Sequence, residues 1–305
     1  MGEAFQIEPT VVQTKDIALS GLSVKPAGRP AKGLILALHG GSYSAGYWNY
    51  ADVRGSSLMA LATSLGFAVL AVDRPGYGAS HDFDPTRLGL DSQVEFFFDA
   101  IEAWSRENDF NGPVFVIGHS IGGILTLLMA AHARGSRLSG VDVLGVPFKF
   151  PETEAGAEVN SWSMTGTHVP FPDEKARKWL MYGPESTYDA KAFAYDSTLP
   201  RPMPVAEYRD ALAMPSAWAN VLPRIRLPVQ FTLAEFEVMQ ATGWSTLRDV
   251  EALLHNSANA AVRLQKASGH NASDHRIARA YHMRAIAFFE ECLALEANAQ
   301  AEGES

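Results

Sequence analysis

Cysteine is almost missing from this chain of 305 residues: Cys292 is its one representative. A lone thiol excludes an internal disulfide framework and any metal site built from several thiolates. Its place in an apolar run near the C-terminus marks it as a packing residue. Positive charge is short as well, with 25 Lys and Arg against 34 Asp and Glu and a net charge of −9. Binding nucleic acid requires clustered cations to meet phosphates, so that class of partner is set aside. No apolar run has the length needed to span a bilayer. The opening MGEAFQIEPT lacks the basic start and apolar stretch of a secretory signal, and Gln6 stands where an N-myristoylation signal wants Ser or Thr. The expectation is a cytoplasmic protein. The 47% of hydrophobic and 19% of charged residues place the chain firmly in the globular class.

Short apolar runs alternate with longer helical patterns. GLILALHG (33–40), FAVLAVDRPG (67–76) and PVFVIGHS (113–120) stay apolar and then meet glycine or polar residues, as VDVLGVPF (141–148) and PVQFTLAE (228–235) also do. Such runs are strands buried on both faces of a parallel sheet. Helices are expected over about 54–65, 92–107, 120–134, 245–256 and 274–295 between and after them. Repeated strand–helix units with right-handed crossovers predict a doubly wound α/β sheet with helices on both faces. Residues 5–24 alternate and predict one or two antiparallel edge strands. Residues 147–227 break the rhythm: they are rich in proline and aromatics and hold no buried strand. A connection that long is expected to be an inserted, partly helical cap. The core then comprises 1–146 and 228–296, followed by a frayed polar tail, 297–305.

The chemistry centres on GHSIGG, residues 118–123. Gly118-x-Ser120-x-Gly122 is a nucleophile-elbow pattern: a serine on a strained strand-to-helix turn, with glycines where strand and helix approach too closely for β-carbons. PVFVI before it and IGGILTLLMAAHARG after it supply the strand and the apolar helix that such a turn needs. Upstream, HGGSYSAGYW (39–48) follows the first buried run. A glycine-rich loop there can turn amides toward the oxyanion of a tetrahedral intermediate. Gly41 is the first candidate donor, Ser42 the alternate, and the amide of Ile121 at the start of the helix is the second donor.

Together these segments resemble an α/β-hydrolase over nearly the whole chain: HGG, then DRPGYGAS (73–80), GHSIGG, and a Gly-His pair near the C-terminus, in the family's order. The resemblance implies an eight-stranded sheet of that type with the cap inserted after strand six. It also implies a Ser-acid-His triad on Ser120, with the base in a loop shortly before the last helix. His270, in KASGHNAS, fits that place best of the nine histidines. The acid is implied after the strand that follows the cap, where LAEFEVM (233–239) offers two glutamates. The family's spacing falls on Glu237, with Glu235 as the alternate.

The implied activity is hydrolysis of an ester, thioester or lactone through an acyl-enzyme, with no metal or organic cofactor. The expected partner is a small molecule, and a homo-oligomer is left open. The aromatic cap and the HGG loop suggest a bulky apolar or aromatic substrate held by Tyr43, Trp48, Trp162, Trp179 and Trp218. For most of these a place in the cap's own core is the alternative. HGGSYSAGYWN also resembles the loop of hydrolases that cleave ring-fission products at a carbon–carbon bond. Those carry Trp after the histidine, where Asn271 stands here. A silent ligand-binding protein on the same fold is the remaining alternative.

Overall fold

The alternating N-terminal residues pair antiparallel as β1 (Glu8–Gln13) and β2 (Ala18–Val24) in the computed structural model, which describes residues 5–50, 55–80, 88–162 and 164–303. The aliphatic runs follow as β3 (Leu34–Leu38), β4 (Ala68–Val72), β5 (Val114–His119) and β6 (Gly140–Leu144), and every residue of these four strands is buried. Complete burial needs cover on both faces. Leu34, Leu36 and Leu38 pack into one apolar cluster with α2 (Leu90–Glu107) and α3 (Ile121–Ala131). Ile35 and Ala37, pointing the other way, join a second cluster that includes α1 (Leu58–Ser64). The expected start of α1 at about residue 54 lies outside the described residues.

After β6 the chain leaves the sheet. The insertion carries α4 (Glu154–Ser161), a two-residue ribbon of β7 (His168–Val169) and β8 (Met203–Pro204), α5 (Glu174–Arg177), α6 (Ala190–Asp196) and α7 (Val205–Val221). It returns in β9 (Val229–Ala234), again wholly buried, then α8 (Trp244–Leu253), β10 (Ala260–Gln265) and α9 (Ala278–Gly303). The last helix therefore runs past residue 296, where a frayed tail is expected. Alanine, glutamine and glutamate are good helix formers, and their backbone propensity continues the helix through this stretch.

The sheet order is β1-β2-β4-β3-β5-β6-β9-β10. From β4 to β10 all neighbours are parallel, and β2 joins β4 antiparallel. This is the expected doubly wound, mostly parallel, eight-stranded sheet. From β3 the chain winds to one side and from β5 to the other, so the C-terminal ends of these neighbouring strands open a crevice at the switch point. HGG follows β3 and Ser120 follows β5. No helix among the described residues is long and apolar enough to cross a membrane.

Candidate active site

Ser120 stands between β5 and α3 with φ 53° and ψ −118°, a backbone conformation that non-glycine residues seldom adopt. The flanking glycines show why the turn can be so tight. A β-carbon on Gly118 would lie 2.4 Å from the Gly122 carbonyl oxygen, and one on Gly122 would lie 2.2 Å from the Leu38 carbonyl oxygen. The Ser120 amide donates to the Leu144 carbonyl at 2.8 Å, which ties the turn to the end of β6. Strand, turn and helix thus hold the hydroxyl at the wall of a cavity shared with Gly41, Ser42, Ile121 and His270.

His270 lies in the loop between β10 and α9 and is 5% exposed. Its Nδ1 is 2.5 Å from Oε2 of Glu237, which is 7% exposed. Glu237 is held in turn: Oε1 accepts from the Met239 amide at 3.1 Å, and Oε2 accepts from Nε2 of Gln240 at 3.1 Å. Glu235, two residues back, points elsewhere. Its carboxylate accepts from Lys266 Nζ and from the Ala267 amide, each at 2.8 Å, and these contacts hold its carboxyl below the usual carboxylate range. Of the two glutamates, only Glu237 reaches the histidine.

The loop after β3 is set by buried polar contacts. The Ser42 amide donates to the Tyr77 hydroxyl at 3.3 Å, whereas the amides of Gly41 and Ile121 have no acceptor among the described residues. Both residues line the cavity, and Ile121 begins an eleven-residue helix whose N-terminal dipole favours negative charge there. Gly41 is crowded from the cavity side: a β-carbon on it would fall 2.6 Å from Met203 Sδ.

Four residues outside the site read from the sequence brace this arrangement. His119 is buried, stacks on Tyr47 with ring centroids 4.5 Å apart, and puts Nε2 3.0 Å from the His270 carbonyl. A carbonyl only accepts, so His119 carries its proton on Nε2; burial, and then the neighbouring His270, lower its pKa well below the ordinary value and keep it neutral. Asn271 donates to the Tyr43 hydroxyl at 2.7 Å and to Asp274 at 3.2 Å, joining the histidine loop to the loop after β3. His275 accepts from the Gly269 amide at 3.0 Å. Gln240 is the fourth, through Glu237. The GHS and GHN pairings are the visible signals for His119 and Asn271; nothing local marks His275 or Gln240.

Half of the cavity's lining comes from the insertion, including Phe150, Val159, Trp162, Met181, Met203 and Tyr208. Tyr43 and Trp162 line it. Trp48, Trp179 and Trp218 do not. Trp48 is fully buried, edge-on to Tyr47. Trp218 faces the core from α7 and donates to the Pro147 carbonyl at 3.0 Å. Trp179 is 40% exposed and looks outward. An aromatic ring suits a pocket and a core alike, so composition could not sort them.

Comparison with known proteins agrees with this fold. A sequence profile described as "Alpha/beta hydrolase family" matches residues 35–287. Phospholipase YtpA of Bacillus subtilis (strain 168) is 29% identical over 117 residues, 38% of this chain and 40% of its own length. Human monoglyceride lipase is 33% identical over 113 residues, 36% of this chain and 34% of its own. The matches therefore span well under half of either curated relative. Among solved structures, a highly thermostable carboxyl esterase from Bacillus coagulans in complex with glycerol superposes with a TM-score of 0.66 at 15% identity, covering 96% of this chain and 98% of that one. At that identity the likeness is one of fold.

Proposed function

This chain belongs to the α/β-hydrolase family, and on that footing we propose that it is a serine hydrolase that cleaves an ester of a bulky apolar small molecule through an acyl-enzyme on Ser120. His270 is the general base, Glu237 orients it, and the amides of Gly41 and Ile121 bind the oxyanion. The observation that carries the reading is the 2.5 Å contact of His270 with Glu237 at the wall of the cavity that Ser120 also lines. That contact occupies Nδ1 and leaves Nε2 to take the serine proton. Ser120 Oγ attacks the carbonyl, and the proton passes through Nε2 to the leaving alkoxide. Water then repeats the steps on the acyl-enzyme and releases the acid.

The substrate class rests on the walls. Phe150, Val159, Met181 and Met203 present apolar surface, and no Asp, Glu, Lys or Arg among the described residues lines the cavity. A charged acyl group would lose its hydration there without a partner. The curated relatives, named as a phospholipase and a monoglyceride lipase, act on acyl esters by those names, which favours an ester over a thioester or lactone. Intact wild-type protein should take up a fluorophosphonate probe at Ser120, and Ser120→Ala should take up none. Absence of label on folded wild type would sink the proposal. The mass of an acyl-enzyme trapped with a panel of p-nitrophenyl esters reads the acyl preference directly.

A further inference from the structure

A glycine pair is a poor way to hold one amide in place. Gly40 and Gly41 lack the β-carbons that would narrow their dihedrals, so the peptide between them can flip at little cost. Because the peptide unit is planar and trans, its carbonyl and its N–H point in opposite directions. Whatever grips the Gly40 oxygen therefore decides where the Gly41 N–H points.

Arg74 grips it. Its Nη2 donates to the Gly40 carbonyl at 3.1 Å and its Nε to the His39 carbonyl at 2.9 Å, while the Arg74 amide donates to His39 Nε2 at 3.1 Å. Arg74 is fully buried. Its counter-ion is Glu207 of α7, on the insertion and equally buried. Nη1 pairs with Oε2, and Nη2 donates to Oε1 at 2.9 Å. The same carboxylate accepts from the Tyr77 hydroxyl at 2.7 Å, and that hydroxyl receives the Ser42 amide at 3.3 Å. Backbone groups at 39, 40 and 42 are thus all held from one side, and the free amide of Gly41 lies between them, on the cavity wall.

We infer that Arg74, clamped by Glu207 of the insertion, is a positioning residue that locks the Gly40–Gly41 peptide with its N–H turned into the cavity. The insertion is then a structural part of the oxyanion hole as well as a wall of the pocket. The inference rests on the reading of Gly41 as an oxyanion donor. A planar fork is what the task requires: lysine can neutralise Glu207 as a point charge but cannot at the same time span the two carbonyls.

Arg74→Lys tests this, since it keeps the buried charge paired. On a p-nitrophenyl ester, kcat should fall about 100-fold, the scale of losing one oxyanion donor, with KM within about threefold. Affinity for a trifluoromethyl ketone, which forms the tetrahedral adduct, should fall by a similar factor to kcat, while the thermal midpoint stays clear of the assay temperature. An unchanged kcat overturns the inference, and so does a reduced kcat with undiminished ketone affinity. Should Arg74→Lys fail to fold, Tyr77→Phe takes one hydroxyl from the same network, leaves the ion pair intact, and should show the same paired loss at about tenfold. Fluorophosphonate labelling of wild type separates the two levels. A labelled Ser120 with an indifferent Arg74→Lys discards only the role of Arg74, whereas an unlabelled wild type discards the hydrolase reading and this inference with it.

Discussion

Two glutamates separated by one phenylalanine have opposite fates, and the reason is the direction in which the chain leaves β9. Glu235 continues the strand's alternation and reaches back to the turn after β10, where Lys266 and the Ala267 amide hold it. Glu237 comes after the chain has turned, its amide 3.4 Å from the Ala234 carbonyl, and its side chain passes inward to His270. Glu237→Gln should lower kcat by about 10³- to 10⁴-fold with little change in KM, because a neutral amide no longer stabilises the imidazolium or enforces its tautomer. Glu235→Gln should stay within about twofold of wild type, since it gives up one largely exposed ion pair. Steady-state kinetics on the same ester decides, and equal losses in both variants would remove Glu237 from the triad. The family's spacing marks this position from the amino-acid sequence alone; the choice between neighbours depends on a turn that local sequence leaves open. Gln240 and His275 are illegible for a different reason. A polar residue on a loop acquires its meaning only from the group it meets.

Elements are easier to read than residues. Strands covered on both faces must be continuously apolar, and β3, β4, β5, β6 and β9 announce themselves that way. The elbow is legible because its glycines answer a steric demand that few other turns impose. That demand predicts a sharp contrast. A β-carbon on Gly122 meets the backbone oxygens of Leu38 and His39 at 2.2 and 2.5 Å, and these belong to a central strand and its exit, which cannot yield. Gly122→Ala should lower the thermal midpoint by roughly 10 °C or more, or prevent folding, as expected when several kcal/mol are lost from a domain of this size. Gly166 has a positive φ, +89°, yet nothing lies within 4 Å of the point where a β-carbon would stand. Gly166→Ala should cost only about 1–2 kcal/mol of backbone strain. Comparable melting shifts for the two variants would contradict the packing account of the elbow. The insertion is legible as an interruption and little more. Its helices pack through Trp218 and the Tyr208–Trp162 stack, and which face a ring turns inward is decided by the partner surface.

At the scale of the whole molecule, buried ionisable groups set how stability responds to acid, and two of them pull in opposite directions. His282 on α9 is fully buried, and burial alone lowers its pKa to about 3. In the unfolded chain it titrates near 6.5, so below that pH the unfolded state takes up a proton that the folded state refuses. Its contribution is intact above about 6.5 and is lost progressively as the pH falls toward about 3. Asp142 on β6 is also fully buried, and burial raises its carboxyl to about 6 against the opposing hydrogen bonds from Gln230 and Tyr281. Here the folded state takes up the proton first, so its ionised form costs stability at neutral pH, and that cost is relieved as the pH falls from about 6 to about 4. Removing each group should therefore tilt the pH profile oppositely. Relative to wild type, His282→Gln should gain stability on going from about pH 7 to about pH 4.5, and Asp142→Asn should lose it. Each change should amount to a few kcal/mol at most, on the order of 1.4 kcal/mol per pH unit titrated. Urea midpoints for the three proteins at several pH values measure both slopes. Parallel profiles for either variant and wild type would show that the group concerned titrates alike in the folded and unfolded chain, and that its burial has no energetic consequence.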